Sequence, residues 1–563
     1  MKIRNILTVS CALCLGMLSG SAQNLDPTVV VNKAYEGKLF QVHKPSIEMA
    51  VPDSLTRFEL DFDYLVFEKP YKGSGGFSPY VLTMKPVPTV EDSRQLYLNV
   101  GAGYALHPTL DLVWSPFRGH SFKMDVYAMH RSYVGRYERW SEDKADWKGY
   151  DLMSEAGVNG RYEASSMSAG FDVSYFGLAS EDPLKKRTYD AMDVRLGLTS
   201  KPAGSSYFRY DVQASYRYAK DRFAFIGADK DWLGEHLVEL DAVLGQVFDG
   251  GHKILCDVNV DVAAYAHCDF ASATGHVALV PRYVLTRERW AVDAGVRIAK
   301  VIRSNSSDKA FASRDQIVYP EVKAWLSILP DAMRLYAYIG GGNKLNTYAS
   351  LLEKNHHTDP GFGLYGHDLL DVTVERVSTS IGLEGRIGSK FSYDVRTGYV
   401  CYANDLLEAV AMVPTENVEN APSYLPGIGY ASYQKYYAAA DLRFETDPFR
   451  IDGSVVYTST WDMKDAEGLF APAALKGEVS AEYNWKRRLY AGVDCGFSTP
   501  RKSSGIDFRI PGYVDLGIYC EYALNRKLSF WARGGNLLNM TIHRNPLYAE
   551  KGVAGTVGIC LNL

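Results

Sequence analysis

The chain has 563 residues, a formal charge of −5, 39 Tyr, 23 Phe, 9 Trp and 49 Gly. So small an acidic balance leaves no electrostatic footprint for nucleic acid. Beyond the first two, its eight cysteines lie singly, which excludes a disulfide framework and any regular metal-ligand spacing.

The first 22 residues read as an export signal. Lys2 and Arg4 make a basic start, and Ile6 to Leu18 is an apolar run too short to span a bilayer as a helix. Gly20-Ser21-Ala22 is a small-residue cleavage site, so the exported chain is expected to begin at Gln23. Loss of the two leader cations takes the formal charge from −5 to −7. Neither Cys11 nor Cys14 follows a Leu-small-small triplet, so no lipid anchor is expected. No later apolar stretch approaches the roughly 20 residues that a membrane helix needs.

Residues 23–94 lack a sustained period. They are rich in Pro and carry short apolar runs such as Tyr64-Leu65-Val66-Phe67 and Tyr80-Val81-Leu82. We expect a separate periplasmic or lumenal segment, too small to build more than a marginal core alone.

From Gln95 a two-residue alternation takes over and runs to the end. Phe208, Tyr210, Val212, Ala214, Tyr216 and Tyr218 fall on one face of a strand, and Arg209, Asp211, Gln213, Ser215 and Arg217 on the other. Leu475 to Trp485 repeats the pattern, with Gly477, Val479, Ala481 and Tyr483 against Lys476, Glu478, Ser480, Glu482 and Asn484. Such strands can be walked from Gln95–Ala105 and Thr109–Phe117 to Leu528–Leu538 and Val553–Leu563, about 22 in all. Tight joints such as Ala164-Ser165-Ser166, Thr446-Asp447-Pro448 and Leu524-Asn525-Arg526-Lys527 alternate with long stretches. The long ones include 135–150, 222–235, 346–374, 403–432 and 498–512. The fold class expected is all-β, a transmembrane antiparallel barrel over 95–563 with both ends on the periplasmic side. A secreted β-sandwich or propeller also alternates, but rarely sets Tyr and Phe opposite a charged row over so many strands.

Facing follows from parity. Tyr104, Trp114, Tyr436, Phe444 and Trp485 should lie outward in interfacial girdles. Cys256, Cys401, Cys495 and Cys520 should face lipid as small apolar residues. Asp111, Asp125, Asp172, Arg195, Arg209, Asp211, Arg217, Glu239, Asp241, Asp257, Asp261, Arg443 and Asp452 should face the lumen. There they either tune passage of a polar solute or pair across strands and solvate a wet interior.

Two stretches resemble the barrel of TonB-dependent receptors. One is the run from Leu369 to Gly385, with its Ser-rich start and Gly382-Leu383, continued by Lys390 to Val395 and Tyr402-Ala403-Asn404-Asp405. The other is Gly535-Asn536-Leu537-Leu538-Asn539, similar to that family's Asn-Leu-Phe-Asp/Asn strand terminus. The resemblance implies an outer-membrane receptor of a Gram-negative bacterium. It also makes Asp26, Pro27, Thr28, Val29, Val30 and Val31 similar to the short segment such receptors offer to TonB by strand addition. The family carries a plug of well over a hundred residues before its first strand; only about 70 exported residues precede it here.

Enzyme signatures are absent: no Gly-x-Ser-x-Gly, no phosphate loop, no His-Glu-x-x-His. His356-His357-Thr358-Asp359 and His367-Asp368 share one long loop and read as solvated polar residues. No catalytic residue, metal site or cofactor is expected. The loop aromatics Trp140, Trp147, Phe223, Phe225 and Tyr365 are available to stack on a ligand. Two functions remain open: uptake of a bulky nutrient, with TonB or a plug or surface lipoprotein as partner, or an accessory barrel that binds a partner protein. Outer-membrane lipid is the expected surrounding in either case.

Overall fold

The computed structural model describes residues 95–563, apart from 105–107, 120, 140–145, 182–184, 203, 226–230, 267–272, 305–316, 331, 356, 358–369, 413–423, 465–466, 506–507 and 551. The Asp26–Val31 segment lies outside the described residues, as do the leader and the rest of 23–94.

In chain order the strands are β1 (Leu96–Gly103), β2 (Thr109–Arg118), β3 (Phe122–Arg139), β4 (Asp146–Glu163), β5 (Met167–Glu181), β6 (Lys185–Ser200), β7 (Tyr207–Phe225), β8 (Asp231–Phe248) and β9 (His252–Ala266). They continue with β10 (Ala273–Thr286), β11 (Trp290–Arg303), β12 (Val318–Leu329), β13 (Met333–Leu345), β14 (Val372–Ile387), β15 (Phe391–Met412), β16 (Tyr424–Glu445), β17 (Phe449–Lys464), β18 (Leu475–Trp485) and β19 (Leu489–Ser498). After the short β20 (Arg501–Lys502) and β21 (Arg509–Ile510) come β22 (Tyr513–Ala523), β23 (Leu528–Gly535), β24 (Ile542–Asn545), β25 (Tyr548–Glu550) and β26 (Ala554–Asn562). One helix, α1 (Tyr348–Lys354), sits between β13 and β14.

The wall is a closed antiparallel barrel of 22 strands, as the alternation requires. β1 pairs with β26 from Tyr97↔Asn562 to Gly103↔Thr556, so no edge is left unpaired. The outward face carries the exposed apolar row: Phe208, Tyr216, Val238, Leu244, Ile254, Leu279, Ile298 and their counterparts around the barrel. Tyr104, Trp114, Tyr436, Phe444 and Trp485 are all exposed on that face. Cys256, opposite Leu244, shares the outward row; it and Cys401, Cys495 and Cys520 are free thiols.

Tight turns close one end of the wall. In the β18–β19 turn Lys486 and Arg487 both have positive φ, 51° and 56°, and the Asn484 side chain accepts from Arg487 N at 2.8 Å. That backbone twist matches two flanking strands, which is why two consecutive non-glycine residues tolerate it. The seam needs glycine for a different reason. The Trp531 indole lies against the inner face and donates to Asn99 Oδ1 at 2.5 Å. A Cβ on Gly558 would sit 2.3 Å from that ring, and one on Gly101 2.5 Å.

The wall is uneven in height. β3, β4 and β8 have 18 residues, β7 has 19, and β15 and β16 have 22. Around the seam β1, β2, β23 and β26 have only 8 to 10. Much of three stretches expected as long loops is therefore strand: 135–150, 222–235 and 403–432. Trp147, Phe223 and Phe225 belong to β4 and β7 rather than to loops. Past the lipid belt the outward row turns polar as well. Lys220, on the outward row, lies 4.0 Å from the Trp232 ring centroid, and Arg222 pairs with Asp190 at 3.1 Å. Alternation of polarity fades there while backbone pairing continues.

Candidate functional site at the loop end of the lumen

Down the wall, the inward charges pair with their neighbours. Arg217 meets Asp193 at 2.6 Å, Arg282 bridges Asp257 at 3.0 Å and Asp293 at 2.5 Å, and Arg131 meets Asp111 at 2.5 Å. Arg443 meets Asp452 at 2.5 Å, and His276 approaches Asp261 at 3.4 Å. Neutral donors serve others: Ser215 to Glu239 at 2.8 Å, Asn259 to Asp241 at 2.5 Å, Thr199 to Asp211 at 3.0 Å and Tyr127 to Asp172 at 3.3 Å. For the residues named here, contacts between strands of the wall are what the structure shows.

At the loop end the lumen is built differently. The chain between β13 and β14 turns inward. Asn346 Nδ2 donates to Asp371 O at 2.8 Å and to Thr373 Oγ1 at 3.0 Å, which ties the two stems together. Arg303 holds the Asp371 carboxylate at 2.8 Å, and Tyr430 OH accepts from Asp371 N at 2.7 Å. Thr347 then caps α1, its hydroxyl accepting from Ser350 N at 3.1 Å while Ser350 Oγ accepts from Thr347 N at 3.0 Å.

The start of α1 docks on the inward faces of β6, β7 and β8. Glu235 accepts from Tyr348 N at 2.8 Å and Ala349 N at 3.1 Å, so its carboxylate satisfies two N–H groups that the helix leaves open. Tyr265 OH donates to the same carboxylate at 3.1 Å. Beside it the fully buried Arg187 and Asp221 pair at 3.1 Å. Tyr348 OH donates to Asp221 and accepts from Arg187 at 3.2 Å. Apolar burial surrounds this network. Leu351 and Leu352 of α1 join Leu233 and Leu237 of β8 and Leu406 and Ile428 of β15 and β16 in one cluster.

A cavity of about 340 Å³ opens between the end of α1 and the loops after β17, β19 and β23. Four cations line it, Lys354, Lys476, Arg501 and Arg544, with Glu408 as the one acid and Phe470 and Tyr513 as aromatics. Arg501 pairs with Glu408 at 2.7 Å, and Arg544 with Asp515 at 2.5 Å. Behind Arg544 lies the half-buried Glu550, at 3.7 Å. Burial pushes its carboxyl up to about 8, against the opposing pull of Arg544.

The last loop also repairs the low seam. β25 pairs with β3 through Tyr548↔Arg139, Ala549↔Glu138 and Glu550↔Tyr137, passing over the short β1–β2 hairpin. The Asn-Leu-Leu-Asn terminus starts this loop: Asn536 and Asn539 take positive φ, 48° and 52°, and Asn536 Nδ2 donates to Met540 O and Gly552 O.

Of the His-rich loop, only His357 is among the described residues. It is buried and stacks on Tyr548 at 3.9 Å between ring centroids, which corrects the reading of a solvated side chain. His356, Thr358, Asp359, Tyr365, His367 and Asp368 lie outside the described residues, as does Trp140. No group of three or more His, Cys, Asp or Glu that could hold a metal ion occurs among the described residues. No sequence signal joins Glu235, Tyr348 and Arg187 into a unit, since strand parity places Glu235 and Arg187 on the inward face without pairing them with a helix residue.

No protein-family model matches the chain, and no curated protein matches it in sequence. Solved structures do. The copper transporter OprC superposes with a TM-score of 0.61 at 10% identity, over 84% of this chain and 80% of that one. The siderophore receptor PirA from Acinetobacter baumannii gives 0.60 at 9%, over 83% and 80%. The FrpB iron transporter from Neisseria meningitidis (F3-3 variant) gives 0.60 at 10%, over 84% and 82%. The barrel has the TonB-dependent receptor fold. At these identities the likeness is one of fold. These neighbours are named as transporters and receptors.

Proposed function

We propose that this chain is an outer-membrane uptake receptor of a Gram-negative bacterium, taking a bulky nutrient from outside at the loop end of the lumen. The observation that carries this reading is the closed 22-strand wall with a cavity at its mouth, superposing on solved metal, siderophore and haem receptors over more than four-fifths of the chain. In this reading the tight-turn end is periplasmic. Residues 1–22 direct export, and 23–94 form the periplasmic or lumenal segment. Asp26–Val31 offers TonB a strand, because energy for uptake must enter from the periplasmic side. The cationic lining of the cavity suits a solute with an anionic face. No cofactor enters the reading.

The test is accumulation by whole cells of labelled ferric chelates, copper and haem, with and without Asp26–Val31. Loss of accumulation with the barrel still folded, seen as heat-modifiable migration in detergent gels, supports the reading. Accumulation of none of these, or uptake indifferent to the deletion, overturns coupled transport. The second reading, an accessory barrel that binds a partner protein, draws on the inward turn of the chain between β13 and β14, since chain inside the lumen presents a surface rather than a passage. A surface lipoprotein that copurifies with the barrel in the absence of uptake would favour it.

A further inference from the structure

We infer that residues 346–355 form a latched bar that closes the pore at its mouth. The described residues of this stretch and the adjoining His357 touch three separate sectors of the wall. Tyr348 and Ala349 are held by Glu235 and Asp221 of β8 and β7. Leu351 and Leu352 pack in one cluster with Leu406 and Ile428 of β15 and β16. His357 stacks on Tyr548 of β25, which is paired to β3.

In the closed wall β9 to β14 lie between the first two sectors and β17 onward between the second and third, so a chain that meets all three crosses the opening. It does so inside the barrel. Asp221 and Glu235 lie on the inward rows of β7 and β8, opposite in parity to the exposed Tyr216, Tyr218 and Val238. A lumen of 22 strands left open would pass large solutes.

The attachment is a latch rather than a chance contact. A helix start buried without acceptors is unfavourable, and Glu235 accepts from two of its N–H groups. The Arg187–Asp221 pair is fully buried, and the Tyr348 hydroxyl bonds to both partners. Withdrawing Tyr348 would leave those groups without that bond, so the bar is either seated or clear of the wall. The inference does not depend on the nutrient or on TonB.

Single-channel conductance of the purified exported chain in planar bilayers tests it. The native chain should conduct little. Glu235→Ala with Tyr348→Phe removes the latch bonds and leaves the Arg187–Asp221 pair in place. Mean conductance should rise roughly tenfold or more, as an opened lumen of this strand number implies. Replacing residues 348–355 by a Gly-Ser linker should give the same rise with the latch side chains untouched. Heat-modifiable migration identifies which variants have folded. A large, steady conductance in the native chain overturns the inference. So does an unchanged small conductance in either folded variant, because closure would then reside elsewhere.

Discussion

In the wall, each residue's backbone partners come from the adjacent strands and its facing follows from whether its number is odd or even. At the mouth, Tyr348 bonds to Asp221, 127 residues earlier, and the Tyr348 and Ala349 amides to Glu235, more than a hundred residues earlier. The wall repeats one contact rule around the barrel. The mouth makes single-copy contacts between distant segments, with buried charge at their centre. A repeated rule tolerates local error, because each strand is held by two neighbours. A single-copy contact has no second instance, so its loss should show as a change of state at one place.

The largest effect expected is on the wall. Val212 shares the outward row with Phe208 and Tyr216, opposite Ala242, while Gln213 faces the lumen opposite Asp241. Val212→Arg places a charge in lipid and should cost roughly 2–4 kcal/mol if near the midplane. Gln213→Arg places it beside a carboxylate in a wet lumen and should be mild. Urea unfolding of the two variants in lipid vesicles measures the difference. Equal losses would mean that parity does not set facing here.

That parity is why the wall was legible. Strand number, closure, the girdle aromatics and the lipid-facing cysteines all follow from a period of two and the spacing of turns. The upper wall reads as loop at 135–150, 222–235 and 403–432 because the alternation of polarity lapses there while the backbone pairing persists. The mouth was not legible for a different reason. α1 is only seven residues long, and the capping pair Thr347 and Ser350 is a weak local signal. The three residues of β25 have no period at all, and their partner β3 lies some four hundred residues away in the chain. No local pattern specifies such contacts.

A smaller effect is expected at the seam, where the wall itself makes a single-copy contact. Gly558→Val brings a side chain against the Trp531 ring and should destabilise by roughly 1–3 kcal/mol, as overpacking does. Gly555→Val, where no atom lies within 4 Å of the added Cβ, should cost much less. If Trp531→Leu in the Gly558→Val background restores stability in the same unfolding assay, the clash is located. No recovery would place the cost in the β1–β26 pairing instead.

The smallest effect probes the mouth alone and follows from Glu550. This carboxyl lies in the last loop, outside the spanning strands, with Arg544 pulling its proton affinity down and Asp515 and Asp151 raising it. Burial dominates and takes it to about 8. The seated loop therefore holds the proton more tightly than a loose loop, in which the carboxyl titrates at its ordinary value. Seating is then fully favoured below that ordinary value and is progressively lost as pH rises towards about 8. Amide exchange across β24 and β25, corrected for its intrinsic pH dependence, should show protection falling over that window while β7 and β8 keep theirs. Glu550→Gln should flatten the dependence without abolishing protection. Protection that grows as pH rises would reverse the assignment: the charged Glu550–Arg544 pair, rather than the neutral acid, would then hold the loop against β3.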